Sequence, residues 1–208
     1  MKKYLLILKD IVTGAIRKTT GKFFFMKALN NKPLKIVIGA SGVSENGWVP
    51  SDINYLNLLN GDQWFSYFQE NKIDALLAEH VWEHLSEEEG ILAAKTCFKY
   101  LKNGTGYLRV AVPDGFSHNN KYIEYVRPGG NGYGAHDHKV LYTYKTLSDV
   151  FENAGFKVDL LEYFDENGVF HYKPWNKDDG MIFRSSRFDV RNTDKTLNYT
   201  SIILDAKK

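Results

Sequence analysis

The stretch Ile73 to Leu85, IDALLAEHVWEHL, changes character halfway: an apolar run from Ile73 to Ala78 stops at Glu79-His80 and gives way to polar and aromatic residues. A short apolar run without alternation reads as a strand buried on both faces, and such strands belong to sheets covered by other layers. Leu34 to Gly42, LKIVIGASG, has the same character: apolar and β-branched, then glycines that call for a tight loop.

The segment after Leu85 reads as a helix. Ser86 precedes Glu89 at capping-box spacing, apolar residues from Ile91 to Leu101 recur at roughly helical spacing, and Asn103-Gly104 supplies the stop. Gly106 to Val112 follows as another apolar strand, closed by Pro113-Asp114. Strand, helix, strand with crossover-length connections implies parallel pairing in an α/β sheet. Tyr144 to Ala154 reads as an amphipathic helix ended by Gly155, Phe156 to Tyr163 as a strand, and Tyr199 to Ala206 as a terminal strand. Two stretches fit no element, Asp114–Tyr142 and Asp165–Asn198, and both read as insertions.

With 208 residues, 43% of them hydrophobic, the chain suits one globular domain. The net charge of +2 conceals an asymmetry: residues 1–35 carry nine Lys or Arg against Asp10, giving +8 there and −6 in the remainder. Residues 1–33 therefore read as a basic N-terminal extension and 34–208 as the domain. Leu5–Leu8 and Phe23–Phe25 add apolar residues to that basic arm, which could lie against an anionic membrane surface, the inner face in a cytoplasmic setting. Leu5–Leu8 is too short to span a bilayer, and no cleavage signal follows it. The lone Cys97 cannot form an intramolecular disulfide and argues for a reducing, cytoplasmic compartment. An acidic core without a basic stripe argues against a nucleic-acid partner.

Taken together, LKIVIGASG, WVPSD, AEHVWEHL, LKNGTGYLRVAVPD and DHKVLYTYKTLSDVFENAGF resemble the class I S-adenosylmethionine-dependent methyltransferases over about residues 34–164, and the terminal strand fits as well. Within that class the chain is most similar to small methyltransferase-like proteins associated with bacterial surface-polysaccharide synthesis. The resemblance implies an α/β, Rossmann-like, doubly wound and mostly parallel sheet with an antiparallel C-terminal strand. It implies S-adenosyl-L-methionine as cofactor and an O-methyl acceptor that is a sugar, glycoconjugate or other small molecule. Gly39, Ser41 and Gly42 match the loop around the methionine part, Asp52 the acid for the ribose hydroxyls, Asp62 the position at the adenine amino group, and Glu79 and His80 positions facing the cofactor. For a base acting on a hydroxyl acceptor the order is His138, His80, His84. Asp114, His136, Arg184 and Arg187 are candidate substrate contacts.

Two positions depart from the family. Val37 stands where an acidic residue is common, so the cofactor's amino group needs another partner; and only nine residues separate Gly42 from Asp52, so the first helix is reduced to a turn or missing.

GASGVS is not a dinucleotide fingerprint, and no Walker lysine follows it. His80-Val81-Trp82-Glu83-His84 fits H-x-x-E-H, a zinc-hydrolase pattern that needs both histidines on one helical face, and His136-Asp137-His138 is a second metal-like cluster. Because the first motif directly follows a strand, the expectation is no metal. A noncatalytic methyltransferase-like binding protein is the alternative from another class.

Overall fold

The computed structural model describes residues 20–40, 45–193 and 196–208. Its centre is a seven-stranded sheet ordered β2-β1-β3-β4-β7-β5-β6. The strands are β1 (Lys35–Ile38), β2 (Val49–Pro50), β3 (Ala75–Glu79), β4 (Tyr107–Pro113), β5 (Lys157–Phe164), β6 (Phe170–Tyr172) and β7 (Ser201–Lys207). β2, β1, β3 and β4 pair in parallel, whereas β7 lies antiparallel between β4 and β5, and β6 runs antiparallel along the edge. The expected Rossmann-like class, mostly parallel with antiparallel pairing at the C-terminal end, is the fold observed.

Side-chain alternation gives each sheet face its own core. Ile36, Ile38, Leu76, Ala78, Leu108 and Val110 point to the larger one. That face receives α1 (helical over residues 20–28), α2 (Gly61–Tyr67), α3 (Glu87–Tyr100) and α5 (Tyr144–Glu152) through Phe25, Trp64, Cys97 and Phe151. Phe25 is 1% exposed, so the core begins upstream of residue 34. The intervening positions Ala75, Leu77 and Ala111 face a smaller cluster closed by Trp48, Trp175 and Ile182. Trp48 comes from the turn before β2, and Trp175 and Ile182 from the second insertion.

Local chemistry sets the ends of the elements. Ser86 and Glu89 form the expected capping box of α3, while Thr143 and Thr146 form another at α5. Asn60 accepts the Gln63 N–H and caps α2, so Asn60-Gly61-Asp62 starts a helix that periodicity had not indicated. Residues 45–48 form a turn rather than a helix before β2, in keeping with the short spacing read from the sequence.

The insertions also hold structure. The first contains α4 (Asn120–Val126) and a 3₁₀ turn, Ala135–Asp137; the second contains β6 and another 3₁₀ turn, Lys177–Asp179. Arg109 on β4 fastens the second insertion to the sheet. Its guanidinium pairs with Asp205, its register partner on β7, through Nε–Oδ1 at 2.8 Å and Nη2–Oδ2 at 2.9 Å, and Nη1 donates to the carbonyls of Asn176 and Gly180. Among the described residues no helix is long and apolar enough to cross a membrane.

Candidate functional site

Strand order reverses at β1: the chain goes from β1 outward to β2 and returns across to β3. In open α/β sheets the connections leave such a point in opposite directions and open a crevice at the carboxyl ends of the strands. A cleft of about 540 Å³ lies there, bounded by the β1 end through Gly39 and Ala40, by Glu79 and His80 at the β3 end, and by Phe183, Arg184 and Arg191 of the second insertion. Its size falls within the usual range for small-molecule sites.

Gly39 ends β1 with φ of +61°, and an added Cβ would lie 3.2 Å from Val81 Cγ2. Glycine meets both demands, the sharp turn and the close approach to Val81. Ser51 holds the neighbouring backbone in place: its N–H and Oγ both donate to the Val37 carbonyl at 2.9 Å, and its carbonyl accepts the Ala40 N–H.

Glu79 accepts the N–H groups of Phe183 at 3.2 Å and Arg184 at 2.7 Å, so the second insertion forms a wall of the cleft. Glu45, on the opposite side, accepts the Met181 N–H at 2.8 Å. Burial pushes its carboxyl above the usual range, against the lowering influence of that hydrogen bond, Arg109 and Lys35. Sequence reasoning passed over Glu45, although it is the only acidic residue between Gly42 and Asp52. It is also an acid in the cleft where Val37 provides none.

His80 is held in the left-handed region at φ of +56°, uncommon outside glycine. Its Nε2 lies 3.1 Å from Ser201 Oγ, which itself donates to the Arg184 carbonyl at 2.7 Å. Nδ1 is 3.0 Å from the buried Glu83 carboxylate. Burial would raise the Glu83 carboxyl, but the imidazoles of His80 and His84 beside it outweigh that and hold it low.

The other expected site residues are dispersed. Ser41 and Gly42 lie outside the described residues. Asp52 does not line the cleft; its Oδ1 accepts the N–H of Asn54 and its side-chain amide, forming a local turn. Asp62 is exposed in the first turn of α2. His138 and His84 lie behind His80, with His138 Nε2 4.0 Å from Glu83 and Nδ1 donating to the Val126 carbonyl. His136 is exposed.

Asp114 is fully buried and accepts the N–H groups of Phe116 and Phe164, tying the end of β4 to β5; burial raises its pKa to about 6, against the lowering effect of those bonds. Arg184 borders the cleft, whereas Arg187 packs its guanidinium over Trp175 and Phe188. Asp189 pairs with Arg191. The H-x-x-E-H reading required one helix, yet His80 is left-handed and only Trp82–His84 forms a 3₁₀ turn, so the two histidines do not share an α-helical face.

No protein-family model matches the chain, and no curated protein sequence does either. Among solved structures it is similar to a SAM-dependent methyltransferase from Archaeoglobus fulgidus, at 16% identity and a TM-score of 0.48 over 99% of this chain and 100% of the other. An S-adenosylmethionine-dependent methyltransferase from Mesorhizobium loti is similar at 9% identity and a TM-score of 0.47, over 90% and 98%. Haemonchus contortus phosphoethanolamine N-methyltransferase 2, solved with S-adenosyl-L-methionine, is similar at 12% identity and a TM-score of 0.45, over 90% of this chain and 52% of that one. Likenesses at these scores carry no argument about activity, and the fold class rests on the strand order itself.

Proposed function

We propose that the chain binds S-adenosyl-L-methionine in the cleft between the ends of β1 and β3 and transfers its methyl group to an oxygen of a sugar or glycoconjugate. The observation that carries this reading is Glu45, a carboxylate held inside the cleft at the strand-order reversal, facing the Gly39 turn and Glu79. Such a group suits the cofactor's ammonium, the contact that Val37 cannot make. Gly39 would let the backbone approach the methionine part. Bound there, the cofactor supplies a methyl group already activated by the sulfonium.

Alignment of the acceptor is then the main demand, and proton removal comes second. His80 borders the cleft, so we assign it the acceptor's proton, with Glu83 on the other side of the ring to balance the charge. Phe183 and Phe188 give stacking surfaces beside the Arg184 guanidinium, a mixture suited to a sugar carrying a phosphate. Methyl-labelled cofactor incubated with nucleotide-linked sugars tests the reading. Label transfer that falls at least about a hundredfold in His80→Ala, within the usual contribution of a general base, is the expected result. Cofactor binding without transfer to any acceptor would favour a binding protein.

The setting proposed is the cytoplasm, with the basic N-terminal arm against an anionic membrane. Phe23 and Phe24 on α1 are each 65% exposed next to Lys22 and Lys27, which supports the contact; most of the arm lies outside the described residues. Sedimentation with phosphatidylserine vesicles, lost in a Phe23→Ser/Phe24→Ser variant, checks it, and equal sedimentation of the two would refute it.

A further inference from the structure

Behind His80, away from the cleft, a buried carboxylate faces three imidazoles. Glu83 is fully buried, and among the described residues neither of its carboxylate oxygens has a well-formed hydrogen-bond partner. His80 Nδ1 lies 3.0 Å from one oxygen, at ion-pair distance. A buried carboxylate with unfilled lone pairs calls for a cationic partner.

The histidines facing it are arranged as ligands. His138 Nδ1 lies 2.6 Å from the Val126 carbonyl, which can only accept, so the ring's proton is on Nδ1 and Nε2 presents a bare lone pair. In the neutral ring that lone pair's nitrogen is 4.0 Å from the Glu83 oxygen. Two acceptors facing each other at this distance repel unless a cation stands between them. His84 lies edge-on to His138 with ring centroids 4.8 Å apart, and its Nδ1 is 3.1 Å from the Asp137 carboxylate. Metal-binding histidines characteristically donate their second nitrogen to a carbonyl or carboxylate, and here one does each.

We propose that Glu83, His84 and His138 bind a divalent transition-metal ion, with zinc the best match to two imidazoles and one carboxylate. Each offers a ligand atom, and these atoms lie within 4.8 Å of one another. Zinc bonds of about 2.0–2.2 Å place tetrahedral ligands about 3.3–3.6 Å apart, so the cluster closes by about 1 Å on binding. His84, at 32% side-chain exposure, has room to make that adjustment and leaves the fourth position on the solvent side. The ion joins the end of β3 to the first insertion, where the Lys139 and Val140 N–H groups already donate to the Glu83 carbonyl at 2.7 and 3.2 Å. The site does not depend on the methyl-transfer reading. It also differs from the H-x-x-E-H pattern, because His138 from the distant insertion replaces His80 as ligand.

Untagged full-length protein, stripped with chelator, would be titrated with zinc by calorimetry and with cobalt by visible absorption. Expected are one equivalent bound, d–d bands of a low-coordinate nitrogen and oxygen site, and a melting temperature that climbs with zinc concentration. Removing an outer partner of a metal ligand commonly costs 10–100-fold in affinity, so His84→Ala and His138→Ala should each cost about a hundredfold or more. His171→Ala, on β6, should change nothing. Far-UV circular dichroism of His84→Ala guards against misfolding, since this side chain is partly exposed and its loss leaves the His80–Glu83 contact in place. Absence of saturable binding, or unchanged binding in folded His84→Ala, would overturn the proposal and leave Glu83 as a partner of His80 alone.

Discussion

The Glu79 carboxylate accepts the backbone N–H of Arg184 at 2.7 Å, linking the end of a central strand to a segment 105 residues later. The Phe183 N–H is held by the other oxygen. A carboxylate that can only accept is therefore matched to two donors that a cleft wall would otherwise leave unpaired, and the cleft's shape depends on it.

Glu79→Ala should cost about 1–3 kcal/mol, the usual penalty for stranding polar groups at a partly buried site. Urea unfolding measures it. Proteolysis of the native protein should also begin to cleave near residues 181–191 in the variant, and an unchanged digestion pattern would show that this wall is held by other contacts.

Arg109 tests the attachment of the same insertion from the opposite side. With side-chain exposures of 3% and 13%, Arg109 and Asp205 form a buried bidentate pair. Arg109→Ala strands the Asp205 carboxylate and frees the Asn176 and Gly180 carbonyls, for an expected loss of about 3–5 kcal/mol. The double variant with Asp205→Ala should lose less than the two single losses added together. Strict additivity in chemical denaturation would contradict the coupling.

Asp114 sets a pH dependence with a definite sign. Its pKa is raised by burial to about 6 from an ordinary value of 3.8, so between these values the folded state binds more protons than the unfolded one. Its contribution to stability is thus greatest below about pH 4 and declines as pH rises toward 6. Asp114→Asn removes this titration while setting an amide N–H₂ against one of the two N–H donors, so the variant is less stable overall. The gap between wild type and Asp114→Asn should narrow from pH 4 to pH 6, and a gap that widened would contradict the assignment.

Much of the fold was readable because it is written locally. The apolar, β-branched run of Leu34–Gly42 ending in glycines, the abrupt end of the apolar run at Glu79, and Ser86 spaced three residues before Glu89 each specify an element with little outside help. The candidate site was readable only where a strand end carries it: Gly39, Glu79 and His80 border the cleft, and so does Arg184 from the insertion. Glu45 escaped notice because its role comes from a bond to Met181, 136 residues away. Asp52 and Asp62 have the right chemistry in the right order, yet local turn and helix-start geometry uses them elsewhere. Arg109 and Asp205 look like surface charges until register places them opposite each other under Trp175. His138 meets Glu83 only after the first insertion folds back over 55 residues, a distance that no motif spans.

Calorimetric titration of S-adenosyl-L-methionine into the full chain tests the central claim most directly. The account requires saturable one-to-one binding, weakened about tenfold or more in Glu45→Gln, since a charge-assisted contact contributes about 1.5–3 kcal/mol. Affinity should also fall as pH drops through the raised range of the Glu45 carboxyl, because the anion is the form that holds the ammonium. Absence of saturable heat with the wild-type chain, or equal binding by wild type and Glu45→Gln, would contradict it.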